Sequence, residues 1–549
     1  MSAAKKKKAR LSSADSVATP LLHVLDDDVG VLLGLFAAQS VHVWGCAQVR
    51  VLVGTVVVAE FVAPVDTVLA VTAPTSAPAL EIAAAVPGAA DRASSHALSD
   101  DVQTLVELFS RRLGRNGSVL LLQRMTPPSH AGSPLWWTAG ANAAWAAAVP
   151  SALGQFAFVR FGPASSLPEA WLPLFAWLDK TVRSGERVTC IVAGRVGAGK
   201  STLCRLLCNR LLSAGSAVRW LDADPGQAEF CPPGVIGLDE IQAPVFGDAV
   251  SHARRVQLPH AHFVGESDAG RDPISLQVQI GALFMAHACR APASLVVNTP
   301  GWVTGIGRDL LRFIVDAAPP GGRVCFVELS SIDITDVQQA PLTDLVSEKP
   351  AVTAFSLPSV AAQACAGDDV QTLQAIERRH MRLFQHLTGS LAPEAWHAVP
   401  LWRVAFERVR ISALDVVPHE VLHALNGAVV GLCADAATYE PAASDYPLQL
   451  LPSAPLVAQC LALGVVRGID AARRELFVYS CLSGAALQRV NTLVLGHIPL
   501  PATHVGAVAL VSGSAQALPP YVSFESLGAN EVGAATTGRR SVARRQQAK

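Results

Sequence analysis

The chain has 549 residues, 51% of them hydrophobic and 16% charged, and its 43 Lys and Arg against 44 Asp and Glu leave a net charge of −1. That length implies about three to five domains or sub-domains, and the composition excludes a disordered chain or a wholly basic nucleic-acid coat. The balance hides an asymmetry, because Lys5, Lys6, Lys7, Lys8 and Arg10 at the start and Arg539, Arg540, Arg544, Arg545 and Lys549 at the end put +5 on each terminus and leave a body near −11.

Such ends read either as flexible arms for nuclear import or phosphate contact, or as solvated charged termini. The uncharged stretches Met125 to Val159 and Pro447 to Val466 are broken by prolines and polar residues and fall short of the ~20 apolar residues that cross a bilayer. No transmembrane helix is expected. The basic N-terminus runs into Ser and Asp instead of an apolar segment, so no secretory signal is expected, and an intracellular, reducing compartment is. Eleven cysteines without a Cys-x-x-Cys pair fit buried small hydrophobes better than disulfides or zinc. Cys204 and Cys208 lie one helical turn apart but have no nearby His.

From about Leu21 to Ile82, short Val-rich runs such as Val41 to Gly45 and Val49 to Gly54 are broken by Gly, Pro and Asp, which predicts a small antiparallel sheet or sandwich. Ser94 to Leu113 has a helical pattern, and Met125 to Pro134 reads as loop. Leu167 to Val182 places Trp171, Leu174, Phe175 and Leu178 at helical spacing. The chain then alternates: apolar run Val188 to Ala193, helix Lys200 to Leu212, run Val218 to Leu221, helix Leu276 to Ala288, run Leu295 to Val297, helix Asp309 to Asp316, run Val324 to Leu329. Strands separated by helices predict a parallel sheet covered on both faces, an α/β fold. Past about Glu394 short Val-rich segments return, with a helix-like piece at His419 to Asn426. No repeat of fixed period is present.

The strongest chemical signal is Gly194-Arg195-Val196-Gly197-Ala198-Gly199-Lys200-Ser201, followed by Thr202. It lies between an apolar strand and a helix with Leu203, Leu206, Leu207 and Leu211 on one face, the context in which glycine-rich backbone N–H groups cradle phosphate. Lys200 is expected to reach the β- and γ-phosphates of ATP, and the Ser201 hydroxyl to ligate Mg²⁺. Only eight lysines occur in the chain, and between the basic ends just Lys180, Lys200 and Lys349, so a lysine here suggests a need for a compact ammonium.

The next strand delivers Leu221-Asp222-Ala223-Asp224-Pro225-Gly226-Gln227. Alternation on a strand would point Asp222 and Asp224 the same way, one to hold Mg²⁺, directly or through water, and the other to take the proton of an attacking hydroxyl; the bland reading is a capped Asp-Pro-Gly turn. No base-reading Asn-Lys-x-Asp is present, so guanine selectivity is not expected. A third strand breaks at Asn298-Thr299-Pro300-Gly301-Trp302, beside the ligand crevice at the carboxyl edge of such a sheet, where Trp302 would either stack on a ligand or serve the core. Farther on, Glu377-Arg378-Arg379-His380-Met381-Arg382 spaces arginines on one helical face, to neutralise transition-state charge or simply to meet solvent.

Together these strings resemble the polynucleotide 5′-hydroxyl kinase family, and most closely its nucleolar branch of pre-ribosomal RNA processing. The resemblance rests on GRVGAGKST, LDADPGQAEF with the following CPPG, NTPGW and RRHMRLF, and on Val417 to Leu432 and Leu487 to Pro501 toward the C-terminus. It implies a central P-loop kinase with a mostly parallel sheet, flanked by an N-terminal β-rich domain and a C-terminal mixed α/β domain. The implied bounds are a basic arm at 1–20, the β-rich domain at 21–165, the kinase with its arginine lid at 166–400, the C-terminal domain at 401–530 and a basic tail at 531–549. Lys200 and Gly194 to Thr202 carry over as the ATP site, Ser201 and Asp222 as metal ligands, and Asp224 as general base. Thr299, Pro300, Gly301 and Trp302 with Gln227 carry over as the substrate clasp, and Arg378 or Arg379 with Arg382 as the lid. The implied activity is transfer of the ATP γ-phosphate to RNA with a 5′-hydroxyl end, beside an endoribonuclease subunit, in the nucleus and nucleolus. The rival reading is a P-loop ATPase or nucleotide-stabilised scaffold of an RNA-processing complex, which the acidic body supports because RNA affinity rests largely on phosphate neutralisation.

Overall fold

The computed structural model describes residues 21–25, 30–73, 80–85, 98–114, 117–124, 157–163, 167–247, 249–252, 258–330, 341–359, 375–388, 401–436, 448–451, 456–501 and 531–532. The basic arm at 1–20, the stretch from Met125 to Pro134 and the arginine-bearing end at 533–549 lie outside them.

The centre is a seven-stranded sheet. Its strands are β1 (Val188–Gly194), β2 (Val218–Asp222), β3 (Val235–Ile241), β4 (Ala261–Phe263), β5 (Ser294–Asn298), β6 (Arg323–Ser330) and β7 (Val352–Pro358), in lateral order β4-β3-β2-β5-β1-β6-β7. From β2 to β7 every neighbouring pair is parallel, as the strand–helix alternation predicts. The β3 and β4 strands extend it with antiparallel pairing, which the alternation did not reveal because no helix separates β2 from β3.

Helices that serve this sheet include α1 (Lys200–Ser213), α2 (Pro273–Ala288), α3 (Ile306–Asp316) and α4 (Ala375–Thr388). Successive side chains of β1 serve opposite faces. Cys190 and Val192 pack with Leu203, Leu207 and Leu211 of α1 and with Leu174 and Leu178 of the helix Leu172–Arg183. Ile191 and Ala193 pack with Leu276 and Ile280 of α2 and Leu310 and Ile314 of α3. Burial on both faces explains why these strands read as continuous apolar runs. The start of α2 follows from its sequence: Asp272 caps it by accepting from Ser275 N at 3.0 Å, and Pro273 occupies the first turn, where no N–H is needed.

Before the centre lies a nine-stranded antiparallel sheet. The runs Val41 to Gly45 and Val49 to Gly54 are not separate strands but parts of one long strand, Gln39–Val53. Its first half pairs with Leu80–Ala84 and Ala157–Pro163, its second with Val68–Ala73 and Ser118–Arg124. The helix Asp100–Leu113 covers one side through Val102, Phe109 and Leu113. This unit is tied to α1: Asn209 Nδ2 donates to Ala59 O at 2.9 Å, and Arg210 pairs with Glu60 at 3.2 Å.

After the centre, a second seven-stranded sheet mixes parallel and antiparallel pairs. The helix expected at His419 to Asn426 is a 3₁₀ turn, Pro418–Glu420, and a short α-helix, Val421–Leu425. One buried cluster fuses this sheet to the centre, joining Phe263 of β4, Leu383 and Leu387 of α4, and Val429, Leu463, Tyr479 and Val494. The fold is thus α/β, with a mostly parallel centre flanked by a β-rich and a mixed sheet. Among the described residues no helix is long and apolar enough to cross a membrane.

Candidate active site

Between β1 and α1 the chain turns through a tight loop. Gly194 is closed in by β6, since a Cβ there would lie 2.7 Å from Leu329 O. Gly199 takes φ 93° as it caps α1, a left-handed conformation that a Cβ would strain. Arg195, Val196 and Gly197 stand exposed, while Lys200, the first residue of α1, is buried and donates to Arg195 O at 3.1 Å. Burial pulls the Lys200 pKa down, and the charge of Asp224 works against that pull.

The two aspartates have different surroundings. Asp222 ends β2 fully buried; its Oδ1 accepts from Trp220 Nε1 at 2.7 Å and Asn298 Nδ2 at 3.2 Å, and its Oδ2 from the backbone N of Glu229 at 2.7 Å and of Phe230 at 3.1 Å. Both oxygens are committed, so Asp222 does not fit as a direct Mg²⁺ ligand; it holds the segment that follows the strand. Burial pushes its carboxyl up to about 6 despite those bonds. Asp224 lies beyond the strand's end, in a turn where its Oδ1 accepts from Gly226 N at 2.9 Å and Gln227 N at 3.2 Å. The alternation that would aim both aspartates together ends with the strand. Burial raises the Asp224 pKa, with the Lys200 charge chief among the opposing influences.

Asp224 borders a cavity of about 320 Å³. The phosphate-loop side contributes Val196, Gly197, Gly199, Lys200, Ser201 and Thr202, and the β2 side Gly226 and Gln227. Across it, α4 presents Arg378, Arg379 and Arg382. All three arginines singled out from the sequence therefore share a cavity with the loop. Arg382 is the most deeply buried and donates through Nη2 to Cys231 O. The C-terminal end of α4 is gripped by the C-terminal sheet: Tyr479 Oη donates to Leu387 O at 2.5 Å, and Leu463 N donates to His386 Nε2 at 2.9 Å.

The clasp segment stands behind this wall, and none of Thr299, Pro300, Gly301 and Trp302 borders the cavity. The buried Thr299 hydroxyl donates to Val192 O at 2.9 Å. Gly301 abuts Val196, and Trp302 lies against Gly307 at the start of α3, where a Cβ would sit 2.6 Å from its ring. Sequence reasoning missed three polar residues of the wall. Arg205 follows Ser201 by one helical turn, a spacing that was readable. Glu229 stands inside the quoted DADPGQAEF string and Asn298 at the end of β5, yet only tertiary contact brings them to the cavity. Glu229 Oε1 lies 2.7 Å from His252 Nδ1 and 3.2 Å from Arg205 Nε. Burial would raise its pKa, but Arg205, His252 and Arg382 outweigh burial and hold it at about 2. Cys204 and Cys208 are buried in the core, and among the described residues no group of three or more His, Cys, Asp or Glu is placed to hold a metal.

Five cationic side chains against two carboxylates, around a helix N-terminus, suit a polyanion that brings its own counter-ion. Fold and cavity define a P-loop nucleotide-binding protein. Residues 194–341 match the family model of the mRNA cleavage and polyadenylation factor CLP1 P-loop, and residues 397–501 that of the NOL9-like, C-terminal domain. The chain is 27% identical to the polynucleotide 5′-hydroxyl-kinase NOL9 of Danio rerio over 395 residues, covering 67% of this chain and 53% of that protein. It is 27% identical to the Bos taurus protein of that name over 406 residues, 65% of this chain and 57% of the relative. With the Arabidopsis thaliana protein of that name it shares 27% over 359 residues, 61% of this chain and 91% of the relative. It spans about half the length of the two animal relatives and most of the plant one. The chain thus carries a region similar to the CLP1 P-loop and a NOL9-like C-terminal region, and is similar to relatives named polynucleotide 5′-hydroxyl-kinase.

Proposed function

We propose that the protein is an ATP-dependent polynucleotide 5′-hydroxyl kinase that acts on RNA with a 5′-hydroxyl end. The observation that carries this reading is the cavity itself, with Lys200, Asp224 and the arginines of α4 on one wall system. Lys200 and the backbone from Gly194 to Thr202 hold the phosphates. Asp224 accepts the proton of the ribose 5′-hydroxyl as its oxygen bonds to the γ-phosphorus and the bond to the β–γ bridging oxygen breaks. Arg378, Arg379 and Arg382 offset the charge spread over the transferring group. Gln227, exposed at the rim, orients the acceptor end, and Thr299 to Trp302 shape the loop from behind through Gly301. For the divalent ion, Ser201 and Asp224 are the wall residues that fit. Bound there, Mg²⁺ would neutralise charge on the β- and γ-phosphates.

Transfer of labelled γ-phosphate from ATP to a 5′-hydroxyl RNA oligonucleotide tests the reading. Vigorous ATP hydrolysis that ignores RNA, with no transfer by the protein alone or with its partner, would favour the scaffold reading instead. The names of the relatives and the basic ends support nuclear, specifically nucleolar, work in pre-ribosomal RNA spacer processing, and the resemblance of the sequence motifs adds an endoribonuclease partner that makes the 5′-hydroxyl end. The bounds proposed for the working units are those expected from sequence, with the kinase unit at 166–400 between units at 21–165 and 401–530 and basic ends at 1–20 and 531–549.

A further inference from the structure

Two acceptors on the cavity wall have no hydrogen-bond partner among the described residues: Glu229 Oε2 and Asn298 Oδ1. Their side chains are almost wholly buried, 0% and 1% exposed. Neither can turn to find a donor, because the rest of each group is already held: Glu229 Oε1 by Arg205 and His252, and Asn298 Nδ2 by Asp222. Strand register sets Asn298 opposite Val192 of β1 on one side and Asp222 of β2 on the other, level with the approach to the phosphate loop. Asp222 also holds the Glu229 backbone, so one buried carboxylate positions both orphans. A buried acceptor left unpaired is costly, and two on one cavity wall imply donors that arrive with the ligand.

Phosphate oxygens are not those donors, since they only accept, and beside Glu229 they would be repelled. The acceptor hydroxyl has Asp224. What remains is water carried by the counter-ion, because Mg²⁺ keeps several of its waters and takes few protein ligands directly. We propose that Glu229 Oε2 and Asn298 Oδ1 accept hydrogen bonds from the water ligands of the divalent ion that accompanies the nucleotide, an outer seat behind Ser201 and Asp224. The inference rests on the nucleotide-binding reading above.

Mn²⁺ titrated into the full chain with ADP, and followed by electron paramagnetic resonance, measures the seat directly. Glu229→Gln and Asn298→Ala are each expected to weaken Mn²⁺ in the ternary complex by about 10- to 100-fold, with ADP affinity in EDTA within a few-fold of the parent. Glu229→Gln keeps an oxygen toward Arg205 and His252, and Asn298→Ala leaves that trio untouched, so either variant that keeps the parental melting temperature suffices. Unchanged Mn²⁺ affinity in a folded variant, or an equal loss of metal-free ADP binding, would overturn the outer seat while the nucleotide site stands. Failure of the parent chain to bind any nucleotide would remove the functional reading itself.

Discussion

Gly301 and Val196 are in such close contact that a Cβ on Gly301 would stand 2.5 Å from Val196 Cγ2 and 2.8 Å from its backbone nitrogen. The turn after β5 therefore forms the backing of the exposed phosphate loop. Gly301→Ala must push Val196 outward, and overpacking of this kind costs about 1–3 kcal/mol. ATP affinity measured by calorimetry is expected to fall about tenfold or more, with the melting temperature less affected because the loop yields first. Unchanged affinity would mean that the loop's shape does not depend on this backing.

In the proposed reading, Lys200 serves the bound nucleotide and Asp224 the proton transfer. Lys200→Ala is expected to weaken both ATP binding and transfer. Asp224→Asn keeps the acceptors for Gly226 N and Gln227 N but loses basicity, so transfer should fall by about 10²- to 10⁴-fold while metal-free ATP affinity stays within a few-fold. Loss of metal binding without a rate effect beyond it would reassign Asp224 to the ion alone.

The arginines of α4 are not equivalent. Arg378 and Arg379 are half-buried at the wall, whereas Arg382 is also anchored on Cys231 O. Arg378→Ala and Arg379→Ala should slow transfer, by roughly 10³-fold or more for whichever of them meets the transferring phosphate, with little change in melting temperature. Arg382→Ala should lose both rate and stability. Equal melting-temperature losses in all three would show a purely structural helix.

The buried acids give opposite pH signatures. Glu229, held at about 2 in the fold against an ordinary 4.5, contributes stability that is complete above pH 4.5 and is lost as pH falls through that window. Asp222, pushed up to about 6 from 3.8, favours the protonated fold, so its contribution is full below pH 3.8 and lost as pH rises toward 6. Denaturation of Glu229→Gln should accordingly show a flatter decline than the parent between pH 4.5 and pH 2. Parallel curves would mean that the Arg205 and His252 contacts do not bias its ionisation.

The sequence by itself determined whatever depends on local spacing. The phosphate loop, its flanking strand and helix, the parallel alternation and the arginine face of α4 were legible because each is written within one or two turns of chain. Resemblance added the activity class, which no periodicity carries. Tertiary structure decided which acid borders the cavity: Asp222 and Asp224 look alike on a strand, but the strand ends between them, and four donors from three segments capture Asp222. It also decided that Gln39–Val53 is one strand, because its pairing partners come from residues 68 to 163. Glu229 and Asn298 entered the site in the same way. Asn298 is placed by its bond to Asp222 across β2 and β5, and Glu229 by its pairs with Arg205 and His252, contacts between residues distant in sequence that form only when the chain is folded.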